Sequence, residues 1–385
     1  VANATIFAAD FTGLTPGAVS SLPSGLSFSR ASAATVQIGT STVVTSGITT
    51  DVARAGRALD ADSVGLVVEP SRTNLVLQSR TLNHANAGSG DTYTTGQTSP
   101  DGSTNALRAQ INSSGFSRYQ LDAGITGTFS MSVWYAKGPG SGVYHNSFST
   151  TAGASGFAFG TASASWGRVA IPAIAFAAQN RYALPMDGQN ESALGGPGAA
   201  ALDALVDMHQ IEAGKWVSEF VSTSGATATR AGERLFVATG ASVVSSGRVL
   251  MHLRAQLKHT PANADTAMRL WTDHADATTY VEIATTGVLT ASVGGSTNTT
   301  NALSWAANDT VDIFVAAGGG IATIVKYRVN GGATTTCTIT GSALGTIAPS
   351  GAIDLLCDAS TAKQPGCRVY TLAFYRSGAA PAWAA

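Results

Sequence analysis

Charge is scarce in this chain. Only 12% of its 385 residues are Asp, Glu, Lys or Arg, about half the roughly 25% of an ordinary globular protein. Twenty-two basic against 23 acidic side chains leave a net charge of −1, so there is no electrostatic excess to hold nucleic acid or an anionic membrane. Long apolar runs are also missing. None approaches the ~18 residues of a transmembrane helix, and Val1, Ala2, Asn3 and Ala4 open the chain with neither a basic nor an apolar signal region. A soluble chain with no membrane insertion and no visible secretory signal is expected. Cysteine is nearly absent: Cys337, Cys357 and Cys367 show no CxxC or Cys/His spacing, which excludes a disulfide scaffold and gives no metal site. One bridge stays open, because Cys357 ends the apolar run from Ile353 and Cys367 precedes the run from Val369 to Tyr375, so a hairpin would set both at its mouth. The other reading is two small buried hydrophobes. Helical periodicity is hard to find, with the Ala-rich stretch from Gly198 to Leu205 its best and short candidate.

What is present is apolar content of 44%, too high for a disordered chain, and enough length for two or three domains. Period-two alternation recurs. Phe129, Met131, Val133 and Tyr135 alternate with Ser130, Ser132 and Trp134, and Val249, Met251, Leu253, Ala255 and Leu257 alternate with Leu250, His252, Arg254 and Gln256. Further short runs follow at Met268 to Trp271, Tyr280 to Ala284, Val288 to Val293, Val311 to Val315 and Ile324 to Val329, separated by turn clusters such as Asn330-Gly331-Gly332. This spacing predicts an all-β protein of two β-sandwich or jelly-roll domains behind an N-terminal β leader. A polar break at 222–246 marks the main junction, giving a leader over 1–70, a first sandwich over 71–235 and a second over 236–385. No fixed-period repeat is visible.

Catalytic and cofactor motifs are incomplete. The Gly196-Pro197-Gly198 stretch mimics a dinucleotide loop without a preceding strand, and Asp60, Asp62 and Gly65 mimic a calcium loop without its closing Glu. No cofactor is expected. The densest polar cluster is Trp271, Asp273, His274 and Asp276. With Met268 and Leu270 facing the core, Trp271 falls on the opposite face, beside a loop of two carboxylates and an imidazole, an arrangement suited to stacking on a sugar ring and hydrogen-bonding its hydroxyls. The alternative is a Trp tucked under a neighbouring loop or subunit. A second candidate face in the first sandwich comprises Trp134, Tyr144 and Arg181, although a second sheet could equally bury Trp134. Trp166 and Trp216 read as packing residues.

Two stretches carry a resemblance: Leu26-Ser27-Phe28-Ser29-Arg30-Ala31-Ser32, then Gly65-Leu66-Val67-Val68-Glu69-Pro70-Ser71-Arg72-Thr73-Asn74-Leu75. The pairing resembles the leader of head-fibre and tail-associated proteins of tailed phages. Trp166-Gly167-Arg168-Val169 and the segment from Gln210 to Val221 resemble the carbohydrate-binding-module-like jelly roll that follows that leader, and Thr229-Arg230-Ala231-Gly232-Glu233 resembles its closing segment. Residues 247–377 look like a concanavalin A-like sandwich of the laminin-G type, with Val329-Asn330-Gly331 in its hairpin. High Ala content and low charge extend the resemblance to head spikes of gene transfer agents. It implies a non-enzymatic adhesin on the surface of a phage or phage-like particle, assembled in the bacterial cytoplasm, that grips capsular or cell-surface polysaccharide. The alternatives are a capsid-decorating protein without sugar binding and a polysaccharide depolymerase. Self-association is expected, and residues 1–25, whose Pro16, Gly17, Pro23 and Gly25 make a poor core, are expected to attach the chain to the particle head or a partner spike protein.

Overall fold

The computed structural model describes residues 5–12, 14–37, 43–44, 48, 50–57, 64–77, 79–80, 86–87, 91–111, 116–121, 126–140, 143–150, 153–176, 181–187 and 202–385. The protein is all-β, with no helix reaching seven residues among those described. It forms two units, one of residues 1–38, 46–71 and 231–385, the other of 39–45 and 72–230. Apart from residues 39–45, the segment expected as a separate leader shares a unit with 231–385, and the chain passes between units at 38/39, 45/46, 71/72 and 230/231.

In the first unit a ten-stranded sheet runs in the order Gly17–Val19, Ala53–Arg57, Val64–Val68, Cys367–Tyr375, Arg248–Leu257, Thr310–Gly318, Ile324–Val329 and Thr335–Thr336; Thr5–Asp10 and Val244–Ser245 join it off this path. An eight-stranded sheet runs Leu26–Ser29, Arg234–Val237, Ile353–Leu355, Met268–Asp273, Tyr280–Ile283, Val288–Val293, Ser296–Ala302 and Ile339–Thr340. The alternation of Val249, Met251, Leu253, Ala255 and Leu257 puts all five into one core with Leu235, Met268, Val281, Leu289 and Ile353 of the other sheet, as the period of two requires. Asn330 and Gly331 both take positive φ (50° and 70°), and Gly332 N–H bonds the Val329 carbonyl at 2.9 Å. That is the hairpin turn favoured by an Asn-Gly pair.

The first residues do contribute to a core, contrary to the reading of 1–25. Ala9, Phe11 and Val19 are buried with Leu66 and Val68 in the same cluster. The reason lies in the long Cys367–Tyr375 strand, one edge of which pairs with Leu66–Val68 near its start and with Thr5–Asp10 further along. Gly65 permits a close approach: a Cβ there would lie 3.0 Å from the Tyr370 ring and from the Val369 carbonyl oxygen, so a neighbour would have to shift.

The second unit contains two five-stranded sheets. One runs Thr92–Gln97, Ala106–Ile111, Leu202–Ala213, Gly127–Lys137 and Gly167–Phe176; the other runs Gly153–Thr161, Val143–Thr150, Arg181–Asp187, Phe116–Leu121 and Asn86–Ala87. The candidate helix is not one where it is described, since Leu202 opens a twelve-residue strand. Ala204 and Val206 alternate into the core; residues 198–201 lie outside the described residues. Arg72–Asn74 pairs with Ala228–Arg230, so the two ends of the 72–230 stretch are neighbours. Asn74 secures that end: its amide nitrogen donates to the His209 and Val221 carbonyls at 3.1 and 2.8 Å, and its oxygen accepts from the Val76 and Ile211 amides, each at 3.1 Å.

On the first unit's side of the crossing sits a buried ionic network. Glu233 accepts from Arg30 (2.9 Å) and Arg54 (2.6 Å), and Arg54 also bonds Glu69 at 2.8 Å; all four side chains are fully buried. Lys258 pairs with the second Glu69 oxygen. The backbones of the two glutamates are joined as well, since Glu69 N–H donates to the Glu233 carboxylate at 2.8 Å and Glu233 N–H to the Glu69 carbonyl at 3.1 Å. Removing one partner strands the remaining charges in a low-dielectric interior. Glu233→Ala should therefore cost about 3–5 kcal/mol of unfolding free energy in denaturant titrations; a loss below about 1 kcal/mol would show the network to be dispensable.

All three cysteines are free and buried. The considered bridge is not formed because Cys367 pairs with Val68 and Leu257 in the ten-stranded sheet, whereas Cys357 follows Leu355 of the other sheet, so no hairpin joins them. Burial pushes the Cys337 thiol up to about 11 and, with Asp354 nearby, Cys357 up to about 12. Cys367 is raised further by burial. The thiolate being the reactive form, the native protein should resist a thiol-directed reagent at pH 8 and titrate three thiols in denaturant. Rapid labelling before unfolding would contradict this burial.

Candidate functional site

The polar cluster after the Met268–Asp273 strand is built differently from its expected form. Trp271 is fully buried in the core with Met268 and Leu270. A bulge is responsible: Arg269 pairs with Glu282 but Trp271 with Val281, leaving Leu270 as an extra residue in the ladder. One inserted residue reverses the facing of everything after it, so the indole turns inward and no stacking platform is presented there.

The loop beyond it is closed by its own carboxylates. Asp273 is buried and accepts from Ala275 N–H at 3.0 Å. Asp276 accepts from the Thr278 amide and hydroxyl at 2.9 and 2.6 Å and from the Thr279 hydroxyl at 2.7 Å. Those hydrogen bonds hold its carboxyl below the usual carboxylate range, by favouring the charged form. Both acids thus fix the turn. His274 remains outward, its side chain 44% exposed, with Nδ1 2.7 Å from Oδ2 of the fully buried Asp354. Arg234 Nε donates to the other Asp354 oxygen at 2.7 Å, and its Nη2 lies 3.0 Å from His274 Nδ1. Its guanidinium also covers the Phe236 ring at 4.2 Å. The result is a surface group of one imidazole and one guanidinium oriented by a buried carboxylate. With Nδ1 donating to Asp354, Nε2 of a neutral His274 is an acceptor, and of a protonated one a donor. Such a group can hydrogen-bond hydroxyls or a carboxylate of a ligand.

Trp134 is likewise buried, in a cluster with Met208 and Phe220 against which Trp166 packs, and Trp216 is buried under the Arg72 guanidinium at 4.5 Å. The second candidate face draws on both sheets of its unit. Trp134 belongs to the Gly127–Lys137 strand of one sheet, Tyr144 and Arg181 to strands of the other. Arg181 pairs with Thr150, six residues and roughly 20 Å along the strand from Tyr144. The side chains of Tyr144 and Arg181 lie outside the described residues.

Arg234 and Asp354 were not singled out in the sequence. A signal existed for Asp354, a lone carboxylate within the apolar run Ile353 to Cys357, since such a buried charge calls for a cation. Among the described residues no three His, Cys, Asp or Glu side chains are grouped to hold a metal ion. No protein-family model and no curated protein matches the chain.

Trp271→Ala should cost about 3–5 kcal/mol of stability, as for other large buried aromatics. His274→Ala, which removes one half-exposed hydrogen-bond partner of Asp354, should stay within about 1 kcal/mol. Paired urea titrations measure both, and an unchanged midpoint for Trp271→Ala would contradict its place in the core.

Proposed function

We propose that the protein is a non-enzymatic spike or fibre adhesin of a phage or phage-like particle, of the gene-transfer-agent kind, which binds capsular or cell-surface polysaccharide for host attachment. One observation supports the reading: charged residues from three of the resembling motifs meet. Arg30 of the first stretch, Glu69 of the second and Glu233 of the closing segment share one buried network, so these motifs are neighbours in the fold. The jelly-roll and concanavalin A-like character of the two units, the attachment to a particle head or partner spike protein and the homo-oligomeric state belong to this proposal. Among the described residues no helix is long and apolar enough to cross a membrane. Sugar contact on this reading comes from polar groups such as His274 and Arg234 in place of Trp271.

The burial of Trp134 and Trp271 favours a second reading, a capsid-decorating protein that binds no sugar. Pull-down on encapsulated and acapsular cells of one strain separates the two. The adhesin should be retained by encapsulated cells alone and release no reducing ends from purified capsule. Retention by neither cell type supports the decorating role, equal retention by both moves the ligand from the capsule to another cell-surface polysaccharide, and reducing-end release supports a depolymerase.

A further inference from the structure

The outer face of the ten-stranded sheet divides into two halves of opposite character. One half is apolar and covered: Leu250, Phe314 and Ala316 lie under Trp383, Ala384 and neighbouring residues of the C-terminal segment. Lys326 Nζ and Thr334 Oγ1 tie that segment down through the Ala384 and Trp383 carbonyls at 2.6 and 2.8 Å. The other half is polar. Ladder pairing sets Arg328, Asp312, Arg254, Thr371 and Asp10 side by side on five neighbouring strands. Paired residues share a face and strands lie about 4.8 Å apart, so the row runs roughly 19 Å.

Its charges are unequally used. Asp312 is fully engaged, with Oδ1 2.9 Å from His252 Nε2 and Oδ2 accepting from Arg328 Nε at 3.0 Å. Asp10, at the far end, accepts from the Thr12 amide and hydroxyl. Arg254 stands opposite Asp312 on the ladder and is exposed, and among the described residues its guanidinium meets no hydrogen-bond or ion-pair partner. At the near end the Arg328 guanidinium lies 4.9 Å over the half-buried Trp383 ring, which His252 meets edge-on at 5.4 Å.

We propose that this strip binds a carboxylated segment of polysaccharide, with Arg254 as its charge contact. The inference rests on the glycan-binding reading above and names the class of glycan. A neutral sugar would leave the Arg254 guanidinium unmatched, whereas a uronate carboxylate fits its two-pronged donor geometry. Thr371 and the aromatic edge of Trp383 supply hydroxyl and apolar contacts on either side. The chain's net charge of −1 does not oppose this, because screening confines the attraction to about 8 Å at physiological salt.

Calorimetric titration of the full chain with polygalacturonate, and with dextran as the uncharged comparison, tests the proposal alongside binding to encapsulated cells. Polygalacturonate should bind, with affinity falling as NaCl rises, and dextran should not. Arg254→Gln should lower polygalacturonate affinity at least tenfold and weaken cell binding with an unchanged Tm. Arg376→Gln, which removes an exposed cation beyond the strand's end, should leave both intact. Equal loss in the two variants would mean bulk charge and overturn the strip, as would undiminished binding by Arg254→Gln or a preference for dextran. If polygalacturonate fails to bind, the cells decide: equal cell binding by wild type and Arg254→Gln defeats the strip and leaves the adhesin reading standing. Absence of binding to cells and to both polysaccharides defeats both.

Discussion

Glu233 and Arg54 are the pair on which the first unit depends. The sandwich is assembled from three stretches of chain, 1–38, 46–71 and 231–385, and its ionic network draws at least one charge from each: Arg30, then Arg54 and Glu69, then Glu233 and Lys258. Hydrophobic burial is non-directional and would accept many registers of these strands. Buried ions accept few, because each guanidinium and carboxylate must find its partners in fixed geometry or carry an uncompensated desolvation cost. The network therefore fixes where residues 69 and 233 meet, and with them where the intervening 160 or so residues leave and rejoin the sandwich.

Alternation supplies the rest, and its exceptions decide what reaches the surface. In the Arg248–Leu257 strand the period of two runs unbroken against Thr310–Gly318, so the core face and the polar face follow from the residue order alone. In the Met268–Asp273 strand a single bulge at Leu270 carries Trp271 into the core. Bulges leave almost no trace in a short apolar run, since Leu and Trp are acceptable on either side of a ladder. That is why the strand itself was legible and its aromatic was assigned to the wrong face.

Strand positions across 248–329 were readable because the runs are short, β-branched and punctuated by Gly and Asn. The membership of the first seventy residues was not, since strand pairing over some three hundred positions has no local signature. Thr5–Asp10 finds its place only because the far-off Cys367–Tyr375 strand leaves an edge open beside it. The candidate site was partly legible: His274, Asp273 and Asp276 do share a loop, but two of them close that loop, and the groups that orient His274 come from Arg234 and Asp354. Polar side chains clustered in sequence are as readily turn ligands as ligand contacts, and only the count of lone pairs already filled tells them apart.

Scarcity of charge sharpens that count. In a chain where 12% of residues are charged, several of the described ionic groups are held by the protein's own partners. Arg30, Arg54, Glu69 and Glu233 are fully withdrawn into one network, and Asp354 and Asp312 each have both oxygens occupied. The carboxylates at the surface clusters are thus held by the protein itself, whereas Arg254 on the sheet face is not. A sheet face that holds Asp312 with its own neighbours and leaves the Arg254 guanidinium open is biased toward acidic partners at that guanidinium, whatever the net charge of the whole molecule.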